Sequence, residues 1–124
     1  MTKEMKIDAD RLAAEVTWLS RIPTNGSPSS AVIEITTMLG AIVLRRSDLE
    51  QYREVLLPAE GTGQATLLVD AGKLSAGLKA LSGIVTIAFD DDTLALAAST
   101  KTVRIKAAAL EFPIFFNYAA TTEK

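Results

Sequence analysis

Apolar positions along this chain recur in two rhythms, helical and alternating, and the switches between them mark out the elements. An alternating stretch at 4–7 ends at Asp8. Leu12, Val16 and Leu19 then fall on one helical stripe, with Ala9 close to it. Asp8 is suited to cap a helix N-terminus, which predicts a helix over 9–20. Ile22-Pro23-Thr24-Asn25-Gly26-Ser27-Pro28-Ser29-Ser30 reads as a loop. Strands are predicted at 31–37, 41–46 and 50–57, and Pro58-Ala59-Glu60-Gly61-Thr62-Gly63 breaks the pattern. The second half predicts a strand at 64–69, a cap at Asp70 and a helix over 71–81 with Leu74, Leu78 and Leu81 buried. Gly72 and Gly77 weaken that helix by about 1 kcal/mol each relative to Ala, so packing must hold it. Strands at 84–89, 93–98 and 102–107 complete the pattern, with Asp90-Asp91-Asp92 in a hairpin turn.

The two halves repeat one another. Ile7-Asp8-Ala9-Asp10-Arg11-Leu12-Ala13-Ala14 returns as Val69-Asp70-Ala71-Gly72-Lys73-Leu74-Ser75-Ala76. Each copy ends an apolar stretch at an Asp, places a basic residue three positions on, and continues into strands. Element type, order and charge placement all recur, so duplication explains them better than coincidence. The predicted architecture is α+β: an internally duplicated β-α-β-β-β unit, with two helices packed on two four-stranded sheets. One domain is expected over 1–118, followed by a polar tail at 119–124.

Composition narrows the chemistry. With 48% hydrophobic and 23% charged residues, a chain of 124 residues can bury a core. It contains neither cysteine nor histidine. A disulfide framework, thiolate or imidazole metal sites, and a Ser-His-Asp triad are therefore excluded. No apolar run reaches the length of a membrane span and no leader is recognisable, so a cytoplasmic setting is expected. No spacing pairs a nucleophile with a base, so the chain is read as a binding protein rather than an enzyme. No cofactor or metal is expected, and Asp90-Asp91-Asp92 reads as a solvated turn. The net charge of −2 leaves room for a basic face on an acidic body. Met1 and the polar Thr121-Thr122-Glu123-Lys124 favour a stand-alone chain over one domain of a longer protein, though both readings stay open.

Over residues 5–113 the chain resembles a domain of the bacterial sliding clamp, the beta subunit of DNA polymerase III, and most of all its N-terminal domain. The element order matches. Ser47-Asp48-Leu49-Glu50 resembles that domain's Thr-Asp-Leu-Glu segment, and Leu67 to Leu74 resembles its strand and helix start, Val-Pro-Ala-x-x-Leu/Phe. Glu111-Phe112-Pro113 resembles the acidic-Phe-Pro signature that closes the domain. There are departures. A clamp subunit of this kind has three such domains, whereas this chain has one. The loop that usually carries Arg-Pro beside DNA reads Ser27-Pro28, with no charge from Pro23 to Ala31. The peptide groove of bacterial clamps, between their second and third domains, does not transfer to a lone domain of the first type.

The resemblance implies that the exposed helix faces line a hole and meet the DNA backbone. On the first helix these residues are Arg11, Trp18 and Arg21; on the second, Lys73 and Lys79. Small residues between basic ones let a helix approach phosphates without reading base edges. Two amphipathic helices also need solvated faces whatever they do. Trp18 either stacks on a partner or folds over its own domain. In the last strand Thr102, Val103 and Ile105 sit where the resemblance places a subunit edge, although Val103 and Ile105 also suit a core. Phe115 and Phe116, in the aromatic run 112–118, fold back on their own domain, dock on a neighbouring chain, or form a tail directed at another partner. Arg45 and Arg46 are assigned to a strand's solvent face.

Two functions follow. One is a ring-forming processivity factor that encircles duplex DNA without sequence preference. It would be a homo-oligomer, a hexamer if each subunit supplies one domain, working with a DNA polymerase or clamp loader. The other is a clamp-derived interaction module that binds or regulates replication proteins without encircling DNA.

Overall fold

The computed structural model describes residues 4–21, 31–47, 51–63, 65–90, 92–108 and 121–123. The chain begins with strand β1 (Glu4–Asp8), which runs straight into helix α1 (Ala9–Leu19). Strands β2 (Val32–Met38), β3 (Ala41–Ser47) and β4 (Tyr52–Pro58) follow, then the short β5 (Glu60–Gly61). The second copy comprises β6 (Ala65–Asp70), helix α2 (Ala71–Lys79), β7 (Ile84–Asp90), β8 (Thr93–Ala97) and β9 (Thr102–Lys106). A last short strand, β10, spans Thr121–Glu123. The predicted duplication is therefore the observed order, with two short strands added.

The two copies exchange their first strands. One sheet has the order β5-β1-β7-β8-β9 and the other β10-β4-β3-β2-β6. Each thus joins three strands of one copy to the leading strand of the other. The registers obey the same pseudo-symmetry: Asp8 stands opposite Ile84, and Asp70 stands opposite Val32. Both sheets are antiparallel apart from β10, which lies parallel to β4. The predicted four-stranded sheets each gain a short fifth strand. At β5 the close approach to β1 depends on Gly61, whose φ of 140° suits glycine and whose Cβ would strike the Glu4 carbonyl.

One core lies between the helices and the inner faces of both sheets. Leu12, Val16 and Leu19 of α1 and Leu74 and Leu78 of α2 meet Ile33, Ile35, Ile42, Leu44, Val85, Ile87, Leu94 and Leu96. These are the predicted stripes and alternations. Both helices stop sooner than predicted. Ser20 and Ala80 are the C-caps, and the chain turns at Gly83, whose φ is 77°. Leu81 lies beyond α2 yet stays buried. Among the described residues no helix is long and apolar enough to cross a membrane.

Candidate nucleic-acid interface

Each helix begins without a loop. The backbone of Asp8 is extended (φ −66°, ψ 131°), as is that of Asp70 (φ −62°, ψ 127°), so strand passes into helix within one residue. The Arg11 N–H donates to Asp8 Oδ2 at 3.1 Å, and the Lys73 N–H donates to Asp70 Oδ2 at 3.0 Å. Each bond satisfies one of the free donors of a first turn and is worth about 1 kcal/mol. Arg11 and Lys73 therefore occupy the same capping position in the two copies, and both are exposed. A basic residue in a first turn is opposed by the helix dipole, which favours acids there. Neither side chain forms an ion pair within the described residues. Among the described residues, then, no ion pair offsets the dipole's opposition to these two cations.

The other basic residues are not symmetric. Lys79 is the last residue of α2, exposed, where its charge suits the helix C-terminus. Arg21 is exposed just beyond α1, and its N–H donates to the Trp18 carbonyl at 3.3 Å. The exposed face of α1 also carries Asp10, while α2 has no acid beyond its cap. A cleft between the helices is lined by Ser20, Arg46, Gly72, Ser75, Ala76 and Lys79, so small residues do separate the basic ones on α2.

Trp18 folds over its own domain. It packs, half-buried, against the core, and the Arg53 guanidinium carbon lies 4.8 Å from its ring centroid. Arg53 Nη1 also donates to the Trp18 carbonyl. Arg46 corrects its predicted placement on a solvent face. It is 3% exposed, and its Nη1 donates to the Leu19 carbonyl at 3.0 Å. Arg46 is in phase with Ile42 and Leu44 along β3, so it faces inward beneath the end of α1. That phase is the sequence signal for it.

Arg45 points the other way, into a polar cluster that the sequence did not disclose. Its guanidinium bonds Glu34 Oε1 at 3.1 Å and Glu54 Oε1 at 2.5 Å, and the Tyr52 hydroxyl donates to the same Glu54 oxygen at 2.8 Å. Burial pushes the Tyr52 hydroxyl well above its ordinary value, and its bond to the Glu54 carboxylate pushes it further. Burial alone would raise Glu54, but the hydrogen bonds from Tyr52 and Arg45, with the Arg45 charge, leave it below the usual carboxylate value. The cluster pins β2, β3 and β4 together on the sheet face away from the helices.

At the proposed subunit edge, side chains alternate along β9. Ile105 is buried in the core, and Val103 packs beneath α2, where a Cβ on Gly77 would come within 2.9 Å of Val103 Cγ1. Thr102, Arg104 and Lys106 are exposed on the other face. Among the described residues no strand pairs with the outer side of β9. Phe115, Phe116, the Ser27-Pro28 loop, and the Asp48-Leu49-Glu50 and Glu111-Phe112-Pro113 motifs lie outside the described residues.

No protein-family model and no curated protein matches the chain. Solved structures do. The DNA polymerase III beta subunit from Thermotoga maritima superposes with a TM-score of 0.80 at 22% identity, over 90% of this chain and 32% of that one. The Pseudomonas aeruginosa beta subunit gives 0.79 at 17% identity, over 90% and 32%. A Helicobacter pylori beta clamp bound to a DNA ligase peptide gives 0.77 at 13% identity, over 90% and 33%. The chain spans about a third of the length of these structures, and its fold is that of one clamp domain.

Proposed function

We propose that the chain is a subunit of a clamp-like ring that encircles duplex DNA and serves as a processivity factor in replication. The observation carrying this reading is the symmetric pair Arg11 and Lys73. Both are exposed, both stand at the same point of their helix, and both hold a position that the helix dipole disfavours. A requirement for cations on that face explains the pairing; local stability does not. Lys79 and Arg21, both exposed, would add cations at the other ends of the two helices. Contacts of this kind neutralise phosphates, read no sequence and permit sliding. The mechanism is topological and breaks no bond.

A single-domain subunit closes a ring only by head-to-tail assembly, in which one edge of each copy meets a different edge of the next. The strand edges at the ends of the two sheets suit such an assembly, and a ring of the implied size takes six copies. Polymerase or clamp-loader partners belong to this reading, as does a cytoplasmic setting.

The competing interaction-module reading draws on α1. Its Asp10 weakens the cationic face, and Trp18 is turned onto Arg53 rather than outward. It also draws on the peptide-bound state of the Helicobacter pylori clamp. A nicked-circle assay separates the two. A ring stays on circular DNA through gel filtration and is lost once the circle is linearised. Equal retention on circles and linear DNA, or none on either, overturns the ring.

A further inference from the structure

The two sheets end differently, and the difference bears on assembly. The β9 edge is open among the described residues. The Ala107 N–H donates to the Asp92 carbonyl at 2.6 Å, and the Lys101 carbonyl accepts from the Ala98 N–H at 2.8 Å. Odd-numbered residues of β9 therefore bond inward to β8. By the alternation of an antiparallel ladder, the backbones of Thr102, Arg104 and Lys106 point outward. Among the described residues that is a row of donors and acceptors with no strand beside it, able to take another.

The corresponding edge of the other sheet is β4, and the chain covers part of it itself. Thr121, Thr122 and Glu123 of β10 stand opposite Tyr52, Arg53 and Glu54. The cover is three residues long and parallel, on a sheet otherwise antiparallel. Parallel pairing is slightly weaker per residue, and so short a strand contributes few bonds. Beyond it β4 continues through Val55, Leu56 and Leu57, and Leu56 is 59% exposed.

The five-residue β9 edge of a second copy can cover more of the seven-residue β4 than the three residues of β10 do. With the helices of both copies on one side, Val103 and Ile105 continue the apolar inner face of Val55 and Leu57. Arg104 and Lys106 then lie on the outer face that carries Glu54 and the exposed Leu56. Apolar residues meet apolar ones on the inner face, and the outer face sets two carboxylates, Glu34 and Glu54, against the single guanidinium of Arg45, so added cations do not meet an excess of positive charge.

We infer that β10 is a self-cap. It occupies the β4 edge that β9 of a second copy would otherwise take, so the chain holds its own assembly in check. The inference rests on the ring reading and concerns how that ring is regulated. Cap and partner compete for one row of backbone groups, so whatever removes β10 promotes assembly.

Two full-length variants test it by sedimentation velocity across a concentration series. Thr122→Pro/Glu123→Pro removes successive β10 N–H groups, whichever of them face β4. It is expected to lower the concentration for assembly at least tenfold. Arg53→Cys/Thr122→Cys joins register partners in a chain with no other cysteine. Oxidised, it is expected to stay monomeric; reduced, the same polypeptide should assemble, which controls for the loss of Arg53. Assembly of the proline variant at the wild-type concentration, or equal assembly of the oxidised and reduced cysteine variant, overturns the self-cap. If wild type is still retained on nicked circles, the ring reading survives that result. If no form assembles or is retained on circles, both fall.

Discussion

Arg46 and Arg53 stand opposite each other across β3 and β4, and both reach the same helix end. Arg46 donates to the Leu19 carbonyl and Arg53 to the Trp18 carbonyl. The last turn of α1 contains no basic residue, and the backbone turn beyond it gives the Trp18 carbonyl only the Arg21 N–H at 3.3 Å. Two guanidiniums from the sheet supply a donor to the Leu19 carbonyl, a second donor to the Trp18 carbonyl, and the positive charge that a C-terminus favours. The pair ties helix, β3 and β4 into one unit.

Arg46→Met should therefore lower unfolding stability by about 2 kcal/mol, the range for losing a charged hydrogen bond with a buried partner. Arg53 is half-exposed, and Arg53→Met should cost about 1 kcal/mol by the same argument. Urea melts report both values. The sole tryptophan adds an independent readout: Arg53→Met alters the native fluorescence of Trp18, because the cation leaves its ring, whereas Arg46→Met leaves it nearly unchanged. Equal stability loss, or a spectral change only in the Arg46 variant, would contradict this geometry.

These two arginines also show what was legible in the sequence. Helix stripes, caps and strand alternation were readable because each is a local period, and the apolar positions in it fell where predicted. The same alternation put Arg46 in phase with Ile42 and Leu44, and Arg53 with Val55 and Leu57. For Arg46, charge nevertheless argued for solvent, since a buried arginine makes sense only once a helix end is known to lie above it. The swap of leading strands, the Arg45–Glu54–Tyr52 cluster and the β10 pairing are non-local, and no spacing announces them. For the candidate interface, the repeat located Arg11 and Lys73. Trp18 depended on Arg53, a residue thirty-five positions away.

Gly77 supplies a second test. An alanine in a helix interior gains about 1 kcal/mol over glycine when nothing opposes it. Here the added Cβ would sit 2.9 Å from Val103 Cγ1, and a β-branched side chain on a strand has little freedom to turn away. Gly77→Ala should therefore destabilise the domain. In the background of Val103→Ala the same change should stabilise it. A double-mutant cycle by thermal or urea melting checks the sign reversal, and additive effects would show that α2 does not rest on β9 at this point.

The Tyr52–Glu54 pair shapes the pH dependence of stability at both ends. The Glu54 carboxyl titrates below its ordinary value, so its contribution is full above that value and lost as pH falls through the lower folded one. The Tyr52 hydroxyl titrates above its ordinary 10.0, so its contribution is full below pH 10.0 and lost as pH rises toward the folded value. Urea midpoints measured across pH should decline at both extremes. Glu54→Gln should flatten the acid limb relative to wild type, and Tyr52→Phe the alkaline limb. A Tyr52→Phe variant that keeps the full alkaline decline would remove Tyr52 as its source.

Salt dependence of DNA affinity decides whether the two helix starts act as a pair. A cation that neutralises one phosphate contributes about 0.9 to the slope of log affinity against log salt on duplex DNA. Arg11→Ala and Lys73→Ala should each reduce the slope by about that amount, and the double variant by about twice as much. The two losses should match, because both side chains leave their helix at the same capping position beside an Asp. Thermal stability should barely change, since neither side chain forms an ion pair within the described residues. Fluorescence anisotropy on a short labelled duplex measures the slopes. A large loss for Lys73 with none for Arg11 would confine the DNA-facing role to α2, where no acid lies beyond the cap, and would leave α1 with Asp10 and Trp18 as a surface serving the domain itself.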